Sequence, residues 1–320
     1  MSNGFIDVHH HIFPASYPEV LKMHGFYEVG GRETPEWSPE ISLGVMDRNG
    51  IDYIFGSVSA PGVHFGDDGE ARELARECNE FSAALKKSHP NRIGVFASVP
   101  MPDAASSCAE AIYALDVLGL DGIVLMSSHL DGSYLGSPAF DEFLEVLNER
   151  DAVVFIHPAI PSVASSIEVQ IPVFAMEFTF DTTRAVFNLT YNGCFERFPR
   201  IKWILSHAGG TVPYLVDRFE LLWFTDEALA ARAPKGARGY LSQLYYDTAL
   251  SATTSAFGSL RNLVDDSHIL FGSDFPFAPE LATMLSVGSI NASLEMPNDL
   301  RAKIRRDNAL KLFPGLGQRL

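Results

Sequence analysis

Apolar and polar residues follow two periods along the chain, one typical of strands and one typical of helices. Between the strand-like segments, apolar residues recur every three or four positions, as within 72–87, where Leu74, Cys78 and Phe81 share one helical face. Such segments predict helices at 38–49, 69–88, 103–118, 138–150, 180–192, 212–224, 254–264, 279–289 and 297–312. Short runs rich in β-branched residues predict eight strands, at 5–11, 52–58, 93–98, 122–127, 152–157, 201–206, 243–248 and 268–272.

Strand and helix alternate strictly, and this order predicts the fold class. Eight β/α repeats indicate an α/β protein with a closed parallel (β/α)8 barrel, a TIM barrel, and we expect residues 1–320 to form one domain. An open doubly wound sheet would show a glycine-rich phosphate-binding loop after an early strand, and none follows the first strand. Two long loops, Pro14 to Trp37 after strand 1 and Pro158 to Phe178 after strand 5, either cover a site or are surface excursions.

Composition limits the possible partners. The chain has 320 residues, of which 24 are Lys or Arg and 40 are Asp or Glu, so its formal charge of −16 would repel nucleic acid. An anionic substrate would therefore need a local arginine or a metal ion. Three dispersed cysteines suggest neither a disulfide framework nor a thiolate metal site. With no leader-like segment and no apolar run of about 20 residues, we expect a cytoplasmic protein with no membrane partner.

The first strand carries the most unusual polar residues. Side chains alternate in a strand, so Asp7, His9 and His11 are predicted to face one way and His10 the other. Two imidazoles spaced by two residues can bind one metal ion, and the other interpretation is a pair of packed histidines.

Other polar residues follow later strands, at the rim where TIM barrels hold their chemistry. The fifth strand ends in His157, the sixth is followed by His207, and the eighth leads into Asp274. A single histidine at a strand end is usually structural, but together these residues predict one metal ion bound by His9, His11, His157 and Asp274, with His207 as an acid or base. Residues 125–128, at the end of the fourth strand, offer no Lys, Glu or Cys to bridge a second ion. Such ligands favour Zn²⁺ first and Mn²⁺ second.

Motifs in the same order resemble the amidohydrolase superfamily, in the branch of the aminocarboxymuconate-semialdehyde and hydroxybenzoate decarboxylases. They are IDVHHHIFP, VFIHPA, FTFDTTRA, FERFPRIKWILSHAGGTVPYLVDR, YYDTA and FGSDFPF, and 6-methylsalicylate decarboxylase-like proteins are the most similar members. The resemblance implies the same metal ligands and His207 as the active-site histidine. It also implies a homodimer or dimer of dimers, in which Arg218 enters the neighbouring subunit's site. The local alternative for Arg218 is a solvent-facing charge. Arg32 is the candidate for a second anion-binding group.

The expected activity is metal-dependent, non-oxidative decarboxylation of a hydroxylated aromatic acid. Asp274, or a water positioned by His207, would protonate the ring, and aromatic side chains such as Phe180 and Phe275 would bind it. Two alternatives remain open, a metal-dependent hydrolase of a lactone or amide and a barrel retained as a scaffold without chemistry.

Overall fold

Eight parallel strands form a barrel in the computed structural model, which describes residues 4–166, 168–292 and 296–320. The described strands are β1 Phe5–His11, β2 Glu28–Val29, β3 Arg32–Glu33, β4 Ile51–Ser57, β5 Ile93–Ala97, β6 Gly122–Met126, β7 Val153–His157, β8 Lys202–Leu205, β9 Tyr245–Asp247 and β10 Ile269–Leu270. The barrel order is β1-β4-β5-β6-β7-β8-β9-β10. The amide of Val8 donates to the carbonyl of Phe271 over 2.9 Å, so the first strand also meets the last. The predicted barrel is confirmed.

Helices cover the outside of the barrel. In chain order they are α1 Tyr17–Met23, α2 Pro39–Asn49, α3 Asp68–Ser88, α4 Ala104–Ile112, α5 Asp141–Glu149, α6 Val173–Tyr191, α7 Cys194–Arg197, α8 Val212–Thr225, α9 Glu227–Arg232, α10 Gly236–Leu241, α11 Thr254–Arg261, α12 Glu280–Ala292, α13 Asn298–Ala302 and α14 Asn308–Leu312. The sequence explains their ends, as in α2. There the Ser38 hydroxyl accepts the Ile41 amide, Pro39 fills the first turn and Gly50 ends the helix at φ 66°.

The barrel interior is closed at the amino-terminal ends of its strands. Ile6 and Val8 pack there with aromatic residues of neighbouring strands, and the C-terminal Phe313 stacks on Phe55 with ring centroids 4.0 Å apart. Phe155 lies at the upper end of this apolar column, 4.9 Å from the ring of His9. The open end of the barrel is therefore the end where the strands finish in polar residues.

A bulge in β1 changes which side chains face inward. Pairing with β4 shifts register between Asp7 and His10, so Val8 and His9 both contribute to the interior. Asp7 consequently faces outward with His10, whose imidazole bonds the Ser42 hydroxyl of α2. The prediction that Asp7 shares a face with His9 and His11 is wrong, because simple alternation does not hold through a bulge.

The two long connections differ from expectation in their internal structure. The first contains α1 and the β2–β3 hairpin, whose Gly30 carbonyl accepts the Phe174 amide of α6 over 3.0 Å. Gly30 has φ 63°, and a Cβ there would lie 3.0 Å from the Phe178 ring, so the turn requires glycine. The second connection is shorter than predicted, because α6 begins at Val173.

All three cysteines are unpaired. Among the residues of the described ranges, no helix is both long enough and apolar enough to cross a membrane.

Candidate metal centre

Four buried side chains meet at the open end of the barrel. His9 and His11 come from β1, His157 ends β7, and Asp274 lies in the turn after β10; one ligand atom from each lies within 4.8 Å of all the others. The Nε2 atoms of His9 and His11 are 3.1 Å apart, and Asp274 Oδ1 lies 3.2 Å and 3.0 Å from them. The four residues that the sequence singled out as ligands are therefore placed together.

The second ring nitrogen of each histidine is held by an acceptor. Nδ1–H of His9 donates to Asp247 Oδ2 over 2.7 Å. Nδ1–H of His11 donates to the Ser57 carbonyl over 3.2 Å, and Nδ1–H of His157 donates to the Pro158 carbonyl over 2.9 Å. These bonds fix each ring and leave Nε2 as the nitrogen that faces the centre.

Burial and neighbouring groups shift the pKa values of three of the four residues, His11, His157 and Asp274, towards the protonation state that binds a cation. Burial lowers the pKa of His11, and burial with the neighbouring imidazoles holds the pKa of His157 well below its usual value. Burial opposes ionisation of Asp274, but His9 and the imidazole hydrogen bonds keep its pKa well below the ordinary range. Burial also disfavours charge on His9, yet Asp247 and Asp274 raise its pKa to about 10. Without a metal, a proton on His9 would balance the carboxylates.

The spacing of the donor atoms provides a test of fit for a metal ion. Two ligand atoms that each lie about 2.0–2.1 Å from one tetrahedral ion are roughly 3.3 Å apart. The separations of 3.1 Å, 3.2 Å and 3.0 Å among His9, His11 and Asp274 are close to that value. The donors of these three residues fit a single divalent cation, and a donor atom of His157 lies within 4.8 Å of each of them.

His207 lies beside this cluster rather than within it. It follows β8 with φ 51°, and its Nε2 is 3.5 Å from Asp274 Oδ2. Its Nδ1 is buried and has no hydrogen-bond partner among the described residues. The imidazole is therefore placed to exchange a proton with Asp274 or with a molecule in the adjoining cavity.

Sequence reasoning missed Asp247, the residue that connects His9 with His207. It is fully buried at the end of β9; Oδ2 accepts from His9, and Oδ1 accepts the His207 amide over 2.9 Å. The available signal was an aspartate at the carboxyl end of a barrel strand, within YYDTA. One carboxylate thus orients a ligand ring and holds the backbone of the neighbouring histidine.

A cavity of about 250 Å³ opens directly onto the cluster. His157, His207 and Asp274 form its polar floor, and the rest of its wall is mainly apolar. The apolar lining residues are Val29, Phe174, Ala175, Phe178, Leu250, Phe277, Ala278 and Pro279. A planar aromatic molecule suits these walls.

Of the predicted substrate-binding residues Arg32, Phe180 and Phe275, only Arg32 lines the cavity. Arg32 lines it, with Nη1 donating to the Phe277 carbonyl over 2.8 Å and the guanidinium 4.7 Å from the Phe174 ring centroid. Phe180 and Phe275 are not among the lining residues; Phe178 and Phe277 take that place. Phe180 lies in α6, whose residues 174, 175, 178 and 179 face the cavity, so its side chain is on another face of the helix. Phe275 packs on His10 instead.

Arg218 also lies away from the cavity of its own chain. It is exposed on α8 and makes no hydrogen bond or ion pair with any residue of the described ranges. Tyr214 and Leu221, one turn before it and nearly one turn after it, are exposed to 82% and 60%. Arg218 thus lies on an exposed helix face that carries apolar side chains and also Asp217, which pairs with Arg238 over 2.6 Å.

Comparison with known proteins places this geometry among related chains. The family model described as Amidohydrolase matches residues 6–315. The 6-methylsalicylic acid decarboxylase of Penicillium expansum is 35% identical over 318 residues, covering 97% of this chain and 96% of the relative.

Solved structures share the whole fold. One described as an amidohydrolase II superposes with a TM-score of 0.91 at 30% identity, covering 97% of this chain and 99% of the other. A dihydroxybenzoic acid decarboxylase of Polaromonas, solved with bound manganese and the inhibitor 2-nitroresorcinol, has a TM-score of 0.81 at 22% identity, covering 98% and 97%. The second likeness is one of fold.

Proposed function

Because the chain belongs to the amidohydrolase family, we propose that it is a metal-dependent carboxy-lyase that removes CO₂ from a hydroxylated aromatic acid of the 6-methylsalicylate kind. The end-to-end similarity to a 6-methylsalicylic acid decarboxylase supports this activity. The observation that carries the proposal is the four-ligand cluster opening onto a cavity with aromatic walls and a single arginine among its lining residues.

The metal set of the proposal is His9, His11, His157 and Asp274. Zn²⁺ is our first choice, because three imidazoles and one carboxylate suit a borderline ion, and Mn²⁺ is the second. The manganese in the solved dihydroxybenzoic acid decarboxylase supports that second choice. When bound, the cation supplies positive charge that holds the substrate's carboxylate and adjacent hydroxyl oxygens and stabilises negative charge on them.

Substrate orientation depends on one charged side chain and the apolar walls. The Arg32 guanidinium is already fixed by the Phe277 carbonyl and the Phe174 ring, so its remaining N–H groups are free to meet an anionic oxygen. Val29 and Phe178 offer no hydrogen bonds to the ring. With Ser59, Thr179 and Ser251 also in the lining, the cavity suits a ring that carries both polar and apolar substituents, such as a methyl-substituted hydroxybenzoate.

The proposed chemistry is protonation of the ring carbon followed by loss of CO₂. Asp274 Oδ2 receives a proton from His207 Nε2, 3.5 Å away, and transfers it to the carbon that bears the carboxylate. The bond from that carbon to the carboxylate then breaks, its electrons restore the aromatic ring, and CO₂ leaves. Both side chains are mostly buried and line the cavity, so a ring bound there would shield the transfer from bulk water.

The test is CO₂ release by metal-loaded protein. Incubation with 6-methylsalicylate and with 2,6-dihydroxybenzoate should release one CO₂ per molecule of phenolic product, faster with the methylated acid. A His207→Ala variant should keep its metal and lose at least about 100-fold in rate. Hydrolysis of lactones or amides without any CO₂ release would refute the proposal.

We propose further that two copies associate through the outer face of α8. Tyr214, Leu221 and Phe224 are exposed to 82%, 60% and 70%, and clustered exposed apolar side chains are typical of contact surfaces. Arg218 lies beside Tyr214 and Leu221 at the edge of this face, and we place it at the contact with the neighbouring copy. Leu221→Asp should give monomers in light scattering, whereas Arg218→Ala should remain dimeric and raise KM for the acid. Unchanged kinetics in Arg218→Ala would remove this residue from the site.

A further inference from the structure

Asp181 is a fully buried carboxylate that none of the chemistry above uses. It lies in α6 and accepts hydrogen bonds from the hydroxyls of Ser127, Ser128 and Tyr134, the last two over 2.9 Å and 2.6 Å. The backbone amide of Ala159 is a fourth donor, 3.2 Å from Oδ2. Burial and the neighbouring carboxylate raise the pKa of Tyr134 to about 12, so its hydroxyl stays a donor. The four donors hold a charge that would otherwise be costly to bury.

These donors come from two barrel strands next to each other. Ser127 and Ser128 follow β6, and Ala159 lies two residues beyond His157, the last residue of β7. Ala159 N–H also donates to the Ser127 hydroxyl oxygen, over 3.1 Å. Asp181 and Ser127 together fix the direction of that single amide.

The same peptide unit contacts His157 through its other end. The carbonyl of Pro158 and the amide of Ala159 belong to one planar peptide group, so fixing the N–H direction also fixes the C=O direction. That carbonyl accepts Nδ1–H of His157 over 2.9 Å. A negative charge at the N–H end polarises the peptide and makes its oxygen a stronger acceptor.

We propose that Asp181 is a positioning residue for His157, acting through the Pro158–Ala159 peptide group to hold the imidazole with Nε2 towards the metal. His9 is oriented by the carboxylate of Asp247 directly, whereas His157 is oriented by a carboxylate through one peptide group. Groups that orient a metal-binding histidine typically change metal affinity by about 10–100-fold. The inference rests on the proposed metal centre.

Ser127 and Ser128 provide a matched pair of variants. Both hydroxyls donate to Asp181 Oδ2, but only that of Ser127 also accepts the Ala159 amide. Each variant deletes one hydroxyl donor to Asp181, so both should lower the melting temperature of the metal-free protein, Ser127→Ala by at least as much as Ser128→Ala. Ser127→Ala and Asp181→Asn, each as a single variant, should weaken metal binding by about 10-fold. Ser128→Ala should keep a metal affinity within about twofold of wild type.

The measurement is competition for Co²⁺ between metal-free protein and a chromophoric chelator, with the visible spectrum of the bound Co²⁺ recorded for each variant. The expected result is a raised dissociation constant and a shifted Co²⁺ spectrum in Ser127→Ala and Asp181→Asn alone. Equal dissociation constants for the two serine variants overturn the inference, even if Asp181→Asn fails to fold. Wild-type protein that binds no Co²⁺ refutes the metal centre itself, which distinguishes that failure from failure of the peptide link.

Discussion

Asp247→Asn exchanges one oxygen for an NH₂ group and tests how His9 is held. In the structure Oδ1 accepts the amides of His207 and Ala249, both over 2.9 Å, while Oδ2 accepts Nδ1–H of His9 over 2.7 Å. An asparagine keeps its oxygen with the two amides, so its NH₂ group must face His9. The variant therefore offers a donor where the imidazole needs an acceptor.

The expected magnitude follows from the tautomer of His9. To accept from the new NH₂ group, Nδ1 must give up its hydrogen, which then resides on Nε2, only 3.1 Å from Nε2 of His11. That nitrogen then has no lone pair for a metal. If the ring keeps its tautomer instead, two donors face each other in a buried site, at a cost of about 1–3 kcal/mol. Either outcome weakens metal binding by about 10–100-fold.

Metal affinity of the metal-free variant, measured by chelator competition, tests this reasoning. Asp247→Ala is the informative comparison, because it deletes all three hydrogen bonds but leaves His9 free to bond water through Nδ1. We expect Asp247→Asn to melt at a higher temperature than Asp247→Ala yet to bind metal more weakly. Wild-type affinity in Asp247→Asn would show that the assigned tautomer of His9 is incorrect.

Three shorter predictions test the ligand set, the cavity and the backbone. His157→Ala should lose stoichiometric metal by elemental analysis, whereas His89→Ala, a helix-end residue outside the site, should retain it. Arg32→Met should raise KM for the aromatic acid at least about 10-fold without changing metal content, since a charged hydrogen bond is lost. Gly210→Ala should lower the free energy of unfolding by about 2 kcal/mol or more, because at φ 62° its Cβ would overlap a carbonyl oxygen of α6. Gly258→Ala, in the open space of α11, should be neutral or stabilising in the same thermal melts.

The sequence was most informative where a regular element fixes the position of a side chain. Parallel strands all end at one rim, so the strand assignments alone place His157 and Asp274 there. The same logic could have identified Asp247, but an aspartate inside YYDTA is also a common capping residue, and its acceptor role depends on distances to two other strands. Residue type and strand order predict a site, whereas its hydrogen bonds depend on tertiary geometry.

Predictions were weaker where a local departure from regularity decides which way a residue faces. One extra residue in β1 moved Asp7 from the predicted inner face to the outer one. The early start of α6 put Phe178 rather than Phe180 on the cavity wall, because residues two apart on a helix point about 200° apart. The spacing of apolar residues along the chain reveals neither the bulge nor the start of α6, because packing against neighbouring segments determines both.

The bulge in β1 has a further role, because it connects the metal centre with the closure of the barrel. His9 belongs to the first strand and Asp274 follows the last, so the ligands span the seam where the barrel closes. Asp7 connects the two strands on the outer side of the barrel. Its carboxylate accepts the His9 amide over 3.0 Å, and it accepts the amide and the hydroxyl of Ser273 over 3.0 Å and 2.6 Å. An inward Asp7 would add a third carboxylate near His9, which already contacts Asp247 and Asp274, and would leave those donors without an acceptor. The residue that departs from the predicted alternation thus bonds both closing strands, next to the proposed ligands His9 and Asp274.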